Sequence, residues 1–300
     1  MYQCNGILLI DKNDGETSFD VVRKIKKVLP GIKIGHAGTL DPFATGLLVI
    51  LLGQGTKLSS FLMAGEKRYR ATVRLGVATD TLDPTGIIVN TETVPDFSLE
   101  QIKACAEKFV GEIEQSPPAF SALRFNGRRS YALARKGINV ELPKRKIRIS
   151  SIEIISLKLP YFTFEVTCSC GTYIRSLAAD MGKSLGSCAH LKGLERLASG
   201  GFKVKDGLNS GNIDVLKNDQ CLQERVISLS DALHEMREVR LDKQTAKKIK
   251  NGLRSSLVEL KDFQDLPEDW SGNIKLVCEN NLVAVIWIKC KQAEKIKVFQ

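Results

Sequence analysis

The residues with the clearest chemical potential lie in one short run, Gly35-His-Ala-Gly-Thr-Leu-Asp-Pro-Phe-Ala-Thr-Gly46, which leads into the apolar segment Leu47–Leu52. Pro42 biases the residue before it, Asp41, towards an extended conformation. The glycines permit tight turns and the close approach of another backbone. Such a run can be an Asx-type turn, because Asp-Pro is a common turn start, or it can hold a reactive carboxylate on a rigid element. The run by itself leaves both interpretations open.

A second group of functional candidates is the basic segment from Arg124 to Arg148. It contains nine lysines and arginines against a single acid, Glu141, which gives a net charge of +8 over 25 residues. A charge run of this kind can be a solvated face. Here, however, Phe125 and Tyr131 are interleaved with the basic residues, and that mixture suits the binding of a phosphate backbone and its bases. We therefore predict a nucleic-acid contact in this segment.

Composition and motif patterns exclude several classes of protein. The 300 residues are 43% apolar, carry a net charge of +10 and have a pI near 9.2. No segment approaches the roughly 18 uninterrupted apolar residues of a membrane span, and the first residues lack the regions of a secretory signal, so we predict a cytoplasmic protein. The cysteines form no Cys-x-x-Cys pair, so no metal site is predicted. Gly53-Gln-Gly55-Thr-Lys57 matches neither phosphate-binding loop pattern, and no Gly-x-Ser-x-Gly elbow occurs.

Hydrophobic periodicity predicts both strands and helices along the chain. The segment Leu47–Leu52 is short and bounded by glycines, which favours a strand, and Arg68–Leu75 alternates as a strand does. Ser98 and Gln101 form a capping box that predicts a helix up to Phe109. Further predictions are a strand at Gly6–Asp11, a helix capped by Thr17 or Ser18, a strand near Ile87, a hairpin of 146–157 with 161–168, helices from Gly171-Thr172 and over Asp242–Asn251, and strands at 274–278 and 282–288. The change of character after about residue 205 predicts a small, separate, mainly β domain.

Five motifs in register resemble those of the TruB family of tRNA pseudouridine synthases. The Gly35–Gly46 run is similar to the signature of that family. The other motifs, which occur in the order and spacing of the family over residues 6–200, are Gly6-Ile-Leu-Leu-Ile-Asp-Lys12, Lys67-Arg-Tyr-Arg70, Gly171-Thr-Tyr-Ile-Arg175 and Leu194-Glu-Arg-Leu-Ala-Ser199. The region from Val239 onward resembles an RNA-binding PUA-type domain less strongly.

The resemblance implies a fold, a domain organisation and a reaction. The implied fold is α+β, with a central mixed, mainly antiparallel sheet flanked by helices and a small, mainly β, PUA-like C-terminal domain. The implied domains are a catalytic domain over 1–230, with the basic insert at about 124–148, and an RNA-binding domain over 235–300. The implied reaction converts uridine to pseudouridine at position 55 in the T-loop of tRNA. It loses no atoms, so it requires neither a cofactor nor a metal, and the target base must be flipped out of a folded loop.

The resemblance also assigns roles to individual residues. Asp41 is the catalytic carboxylate, acting as a nucleophile or a base. Arg175 forms an ion pair with it, which is expected to lower its pKa and keep the anion available. Tyr69 stacks on the target base. The other substrate-binding residues are Lys12, Tyr173, Leu194 and His36, of which His36 stacks in the gap left by the flipped base. Contacts to the RNA backbone are assigned to Arg124, Arg128, Arg129 and Arg135.

Two alternatives of other classes remain at this stage. One is an RNA-binding protein without catalysis, which is disfavoured because Asp41, Tyr69 and Arg175 are all present. The other is a guide-RNA-dependent relative that acts with partner proteins. The short C-terminal region and the basic insert favour a stand-alone enzyme, so we expect a monomer that binds the T-arm of tRNA and requires no protein partner.

Overall fold

The computed structural model describes residues 4–120, 124–125, 127–134, 142–252, 266–290 and 292–300. The α-helices in these ranges are α1 (Ser18–Val28), α2 (Ser59–Ala64), α3 (Leu99–Glu107), α4 (Ser130–Ala134), α5 (Ile174–Ser184), α6 (Asp219–Arg225) and α7 (Lys243–Lys250). The strands are β1 (Gly6–Lys12), β2 (Ile34–His36), β3 (Thr45–Leu52), β4 (Lys67–Leu75), β5 (Val77–Thr79), β6 (Ile88–Thr91), β7 (Gly111–Gln115), β8 (Arg124–Phe125), β9 (Arg128–Arg129), β10 (Arg145–Lys158), β11 (Tyr161–Cys168), β12 (Ala189–Ser199), β13 (Phe202–Lys203), β14 (Leu208–Asn209), β15 (Arg237–Arg240), β16 (Ser271–Cys278), β17 (Asn281–Lys289) and β18 (Gln292–Val298).

The starts of the main helices follow from their capping residues. Thr17 caps α1 in a reciprocal capping box with Asp20, and the predicted box of Ser98 with Gln101 is present at the start of α3. The helix predicted from Gly171 begins three residues later, at Ile174. The reason is a pair of hydrogen bonds between the side chain of Gln115 and the backbone of Tyr173, at 2.8 and 3.0 Å, which hold Tyr173 extended. In the described ranges, no helix has the length and apolar character needed to cross a membrane.

The central sheet confirms the predicted fold class. Its strands lie in the order β14-β1-β3-β12-β4-β11-β10-β7, with β2 beside β3 and β13 beside β12. The pairs β1/β14 and β3/β12 are parallel, and the other neighbours are antiparallel. Helices α1, α3 and α5 cover one face of this sheet, where they build two hydrophobic clusters. The chain therefore has the mixed, mainly antiparallel sheet that its motifs imply.

Strand β4 shows how the sequence directs side chains to the two faces. Its alternate residues Lys67, Ala71, Val73 and Leu75 are buried, whereas Arg68 and Arg70 on the other face are exposed. Because side chains alternate along a strand, Tyr69 points with the buried set. Its ring packs against both hydrophobic clusters of that face, so the sheet places it in the interior beneath the flanking helices.

The C-terminal part forms a second sheet of the order β15-β16-β17-β18, in which only the pair β15/β16 is parallel among the described strands. Helix α7, capped by Asp242, packs on it. Its core contains Val239, Ile249, Ile274 and Ile286, all at most 2% exposed. The predicted small, mainly β C-terminal domain is confirmed.

The two sheets share one hydrophobic cluster. Ile7 and Leu47, on the face of the central sheet away from α1, contact the same cluster as Val285 and Phe299 of the second sheet. The last residues reinforce this contact: Lys57 donates to the carbonyl of Val298 at 3.0 Å. The C-terminal sheet therefore covers the back of the central sheet.

The predicted basic insert overlaps the central sheet. Residues 145–148 are the first residues of β10 and pair with β7, so this end of the 124–148 range is part of the sheet rather than of an insert. Ile147 is buried there, while Lys146 and Arg148 beside it are exposed. The alternation of a strand explains the difference, because it gives basic residues one face and the core the other.

Candidate active site

A cavity of about 320 Å³ lies where the Gly35–Gly46 run, β4, the start of α5 and β12 meet. Its lining combines charged, aromatic and apolar side chains. The lining residues used below are Asp41, Lys67, Tyr69, Phe120, Tyr173, Arg175, Leu194 and Arg196. Of the eleven residues assigned to sites from the sequence, five therefore line one cavity: Asp41, Tyr69, Tyr173, Arg175 and Leu194.

Asp41 and Arg175 form an ion pair at the centre of this cavity. Nε of Arg175 lies 3.0 Å from Oδ2 of Asp41, and its Nη2 lies 3.4 Å from Oδ1. The Arg175 side chain is 6% exposed and that of Asp41 is 37% exposed. The guanidinium thus contacts both carboxylate oxygens, each through a different nitrogen, while the carboxylate remains open to the cavity.

Arg175 is itself held by a second carboxylate and two carbonyls. Its Nη1 lies 3.3 Å from Oδ2 of Asp83 and donates to the carbonyl of Thr81 at 3.0 Å. Its Nη2 donates to the carbonyl of Phe120 at 3.0 Å. With this many acceptors around a planar fork, the guanidinium has a single orientation.

The loop between β5 and β6 holds the Asp83 carboxylate in place. Oδ1 of Asp83 accepts from the hydroxyl of Thr81 at 2.7 Å and from the backbone N–H and hydroxyl of Thr85 at 2.9 and 2.6 Å. Leu82, just before it, has a left-handed backbone with φ 61°, a conformation that costs energy for a branched residue. The loop therefore fixes the position of the Asp83 carboxylate, whose side chain is 7% exposed.

Asp83 was not among the predicted site residues, although a signal for it exists. The tetrapeptide Thr-Leu-Asp-Pro occurs twice, at 39–42 and at 81–84, and the two aspartates bind the same guanidinium. The repeat could have pointed to a paired role, because both copies place an aspartate before a proline that restricts it.

The pKa of Asp41 is raised overall, although Arg175 lowers it as predicted. Removal of the carboxylate from bulk water is the largest cause and raises the pKa. The Arg175 guanidinium lowers it by less, and the nearby Asp83 carboxylate raises it further. The prediction considered the cation alone, whereas burial and a second anion favour the neutral acid.

Lys12 lies beneath the Asp41 turn rather than in the cavity. It is fully buried, and its ammonium donates to the carbonyls of Asn13, Glu16 and Pro42 at 2.9, 2.6 and 3.1 Å. The assignment of Lys12 as a substrate-binding residue is therefore wrong in this structure, because all three of its donor positions are used inside the protein. Burial lowers the pKa of Lys12.

Two further residues anchor the turn that carries Asp41. The Ser18 hydroxyl, at the start of α1, accepts from the N–H of Leu40 at 2.9 Å and donates to its carbonyl at 3.2 Å. Arg196, on β12, donates to the carbonyls of Leu47, Gly38 and Thr39 at 2.7, 3.1 and 3.4 Å. Gly46 allows β12 to approach, since a side chain there would lie 2.5 Å from the carbonyl oxygen of Arg196.

Aromatic and apolar side chains form the walls of the cavity. Tyr69 lies opposite Arg196 in the pairing of β4 with β12, and burial raises the pKa of its hydroxyl. Tyr173, the N-cap residue of α5, lines the cavity. Leu194 also lines it and lies on β12 opposite Ala71 of β4. A flat ring can be held between such groups, because aromatic faces stack on bases.

His36 lies at the end of β2, outside the cavity lining. It is half-buried, and burial, followed by the Arg196 charge, lowers its pKa. The role of His36 outside the pocket stays a prediction.

The predicted RNA-backbone residues are only partly within the described ranges. Arg124 belongs to β8, and Arg128 and Arg129 to β9, which form a two-stranded ribbon. The side chains of these three, and the whole of Arg135, lie outside the described part of the chain. A contact of these residues with RNA therefore stays a prediction. In the described ranges, no group of three or more histidines, cysteines, aspartates or glutamates is arranged to hold a metal ion.

Comparison with known structures supports the fold. The chain is similar over all of its length, and over 85% of the other chain, to one in a structure described as a Cbf5-Nop10-Gar1 complex, with a TM-score of 0.73 and 24% identity. It is similar over 99% of its length, and over 83% of the other chain, to one in an H/ACA RNP bound to a substrate RNA, with a TM-score of 0.69 and 22% identity.

Comparison with known sequences identifies the family. Residues 23–174 match the model of the TruB family pseudouridylate synthase N-terminal domain. The chain is 40% identical to tRNA pseudouridine synthase B of Clostridium tetani, over 97% of this chain and 98% of that protein. It is 45% identical to the same-named protein of Clostridium kluyveri, over 83% of this chain and 84% of that protein. With the motifs in register and the fold in agreement, the chain belongs to the TruB family of pseudouridylate synthases.

Proposed function

We propose that this chain isomerises uridine to pseudouridine in tRNA, at position 55 of the T-loop. The observation that carries the proposal is the Asp41 carboxylate, held by Arg175 and open to a cavity with aromatic and apolar walls. The similar proteins of Clostridium tetani and Clostridium kluyveri are named tRNA pseudouridine synthase B. A cavity of about 320 Å³ has room for one flipped nucleoside.

The reaction rearranges bonds within one nucleotide. The bond from ribose C1′ to uracil N1 breaks, the ring turns, and a bond from C1′ to C5 forms; C5 loses a proton and N1 gains one. Asp41 attacks C6 of the ring, attacks C1′, or removes a ribose proton, and all three paths use the ionised carboxylate. The raised pKa of Asp41 suits the transfer of protons to and from this group.

The other residues of the cavity support this chemistry by position. Arg175 orients the carboxylate and stabilises its charge. Tyr69 stacks on the flipped base, and Tyr173 and Leu194 exclude water from it. His36, beside the cavity, stacks in the gap that the base leaves in the RNA. Lys12 stabilises the turn through Pro42 instead of contacting the substrate.

The binding of tRNA uses surfaces beyond the cavity. The basic segment, including Arg124, Arg128, Arg129 and Arg135, contacts the backbone of the T-arm. Residues 1–230 form the catalytic domain, and residues 235–300 form a PUA-like domain that adds RNA contacts. The enzyme acts in the cytoplasm as a monomer without a protein partner.

The test is activity of the purified chain on an unmodified tRNA transcript with nothing added. Pseudouridine is mapped at single-nucleotide resolution, with the Asp41→Asn variant as the inactive control. Modification at position 55 is expected for the wild type and absent for the variant. Binding without modification would favour an RNA-binding protein that lacks catalysis, and modification only after addition of a guide RNA would favour the guide-dependent class.

A further inference from the structure

Arg196 is a buried cation that borders the active-site cavity without an acidic partner. It is 1% exposed and lines the cavity. All of its bonds to the backbone go to carbonyls, those of Leu47, Gly38 and Thr39. No carboxylate lies within ion-pair distance of it in the described part of the chain. An isolated buried charge is costly, so its place beside a reaction centre requires an explanation.

The carboxylates around the cavity are unevenly shared among its buried cations. Arg175 faces two carboxylates, those of Asp41 and Asp83. The other buried cation of the lining is Lys67, which donates to the carbonyls of Met63 and Gly65, and burial lowers its pKa. An arginine, unlike a lysine, keeps its charge wherever it is buried. Arg196 is thus a permanent positive charge at the cavity that has no carboxylate within ion-pair distance among the described residues.

The proposed reaction produces negative charge on the uracil ring in every path open to Asp41. Cleavage of the C1′–N1 bond leaves the electron pair on N1, from where it spreads to O2 and O4. Attack on C6 instead places the charge on C5 and O4. The electron pair later forms the C1′–C5 bond, and the ring returns to neutral after C5 loses its proton and N1 gains one.

Arg196 also lies beside the side chain that is proposed to stack on this ring. Arg196 and Tyr69 are opposite each other in the pairing of β12 with β4, and both line the cavity, so the base would lie close to the charge. Fixed charges that face a developing charge in a water-poor site are among the strongest contributions to catalysis. Resting on the proposed function, we propose that Arg196 stabilises the negative charge that develops on the uracil ring.

A second account must be separated from this one. Arg196 anchors Gly38 and Thr39, which precede Asp41 in the same turn. In this second account, the loss of Arg196 slows the reaction solely because the turn becomes looser. Ser18 provides a matched control, because its hydroxyl anchors Leu40 in the same turn and carries no charge. A purely positioning role would give Arg196→Gln and Ser18→Ala the same response to the electron demand of the ring.

The experiment varies the stability of the ring anion. Transcripts carry uridine or 5-fluorouridine at position 55, since fluorine withdraws electrons and stabilises the anion. Fluorine at C5 blocks the final proton loss but not cleavage and rejoining, so the loss of the N-linked nucleoside is measured under single-turnover conditions. The pH is kept below the N3–H pKa of 5-fluorouridine. The variants are Arg196→Gln, Arg196→Lys and Ser18→Ala, each checked for folding and tRNA affinity.

Arg196→Gln is expected to slow the reaction of uridine by about 100- to 1,000-fold, the usual effect of removing one such donor. With 5-fluorouridine this loss should shrink at least about tenfold, while the smaller loss in Ser18→Ala stays the same. Arg196→Lys keeps the charge, so its loss of rate on uridine should lie between that of the wild type and that of Arg196→Gln. If the glutamine variant does not fold, the lysine variant tests the proposal instead. Its rate loss should also be smaller with 5-fluorouridine than with uridine, but by a smaller factor.

An equal loss on both substrates in the Arg196 variants would overturn the proposal and leave only the anchoring role. Failure of the proposed function would look different, because wild-type enzyme would then form no pseudouridine from the uridine transcript at all.

Discussion

Replacement of Asp83 by asparagine tests whether the Asp83 carboxylate raises the pKa of the Asp41 carboxylate. The change keeps the shape of the side chain, and an amide oxygen can still accept from Thr81 and Thr85. It removes the negative charge 3.3 Å from Nη1 of Arg175. Arg175 remains paired with Asp41 and bonded to two carbonyls, so it is not left as an isolated charge.

The loss of stability can be estimated from these contacts. A hydrogen bond to a charged group contributes about 1.5–3 kcal/mol, and one such contact is lost between well-buried groups. We expect the free energy of unfolding to fall by about 2–3 kcal/mol, which for a chain of this length lowers Tm by roughly 3–5 °C.

The effect on activity has two parts with different signs. The Asp83 carboxylate raises the pKa of Asp41, so its neutralisation should lower that pKa and move the acidic limb of the pH–rate profile to lower pH. At the same time Arg175 is held less firmly, and a small misplacement of Asp41 should slow the single-turnover reaction by about 100-fold at neutral pH.

The control is Asp80→Asn in the same loop. The Asp80 carboxylate accepts from the N–H of Ile87 at 2.8 Å and is exposed, and it does not contact Arg175. Loosening of the loop alone would therefore appear in both variants. An acidic limb that stays in place, or moves to higher pH, in Asp83→Asn would refute the argument that Asp83 raises the pKa of Asp41.

Three further predictions concern the residues assigned from the motifs. Asp41→Asn should abolish turnover and leave tRNA affinity within a few fold, because the amide cannot act as a nucleophile or base; substantial residual turnover would remove Asp41 from its role. Arg175→Lys should lower single-turnover activity steeply with little change in affinity, since the planar fork is lost; weaker binding with an intact rate would make it a phosphate contact. Neutralising Arg128, Arg129 and Arg135 together should weaken tRNA binding and flatten its dependence on potassium chloride by about 0.7–0.9 log–log slope units per lost contact, and slopes identical to wild type would indicate a solvated face.

Sequence reasoning was most effective where function and local pattern coincide. The alternation of β4 places Tyr69 correctly, and the five motifs bring Asp41, Arg175, Tyr173 and Leu194 to one cavity. The start of α5 was missed because its position depends on Gln115, a residue distant in sequence.

The features of the site that sequence reasoning missed share a physical cause. The surroundings of Lys12 and the pKa of Asp41 depend on which groups tertiary packing brings together. Lys12 is the basic last residue of a motif, yet the fold buries its ammonium against three carbonyls. Burial, which outweighs the ion pair at Asp41, has no signal in a linear pattern. The same is true of Arg196, whose burial at the cavity has no signal in the sequence.

The hydrophobic cluster shared by the two sheets has a consequence for how the protein unfolds. Phe299 and Val285 are at most 2% exposed against Ile7 and Leu47 of the central sheet, so neither sheet can lose its structure without exposing apolar surface of the other. Cooperative units follow such shared burial rather than domain boundaries. We expect the two parts to melt in a single calorimetric transition, and amides of β17 to exchange with solvent on the same timescale as those of β3. A destabilising change in the core of the C-terminal sheet would then lower the amount of folded enzyme without altering any residue of the active-site cavity.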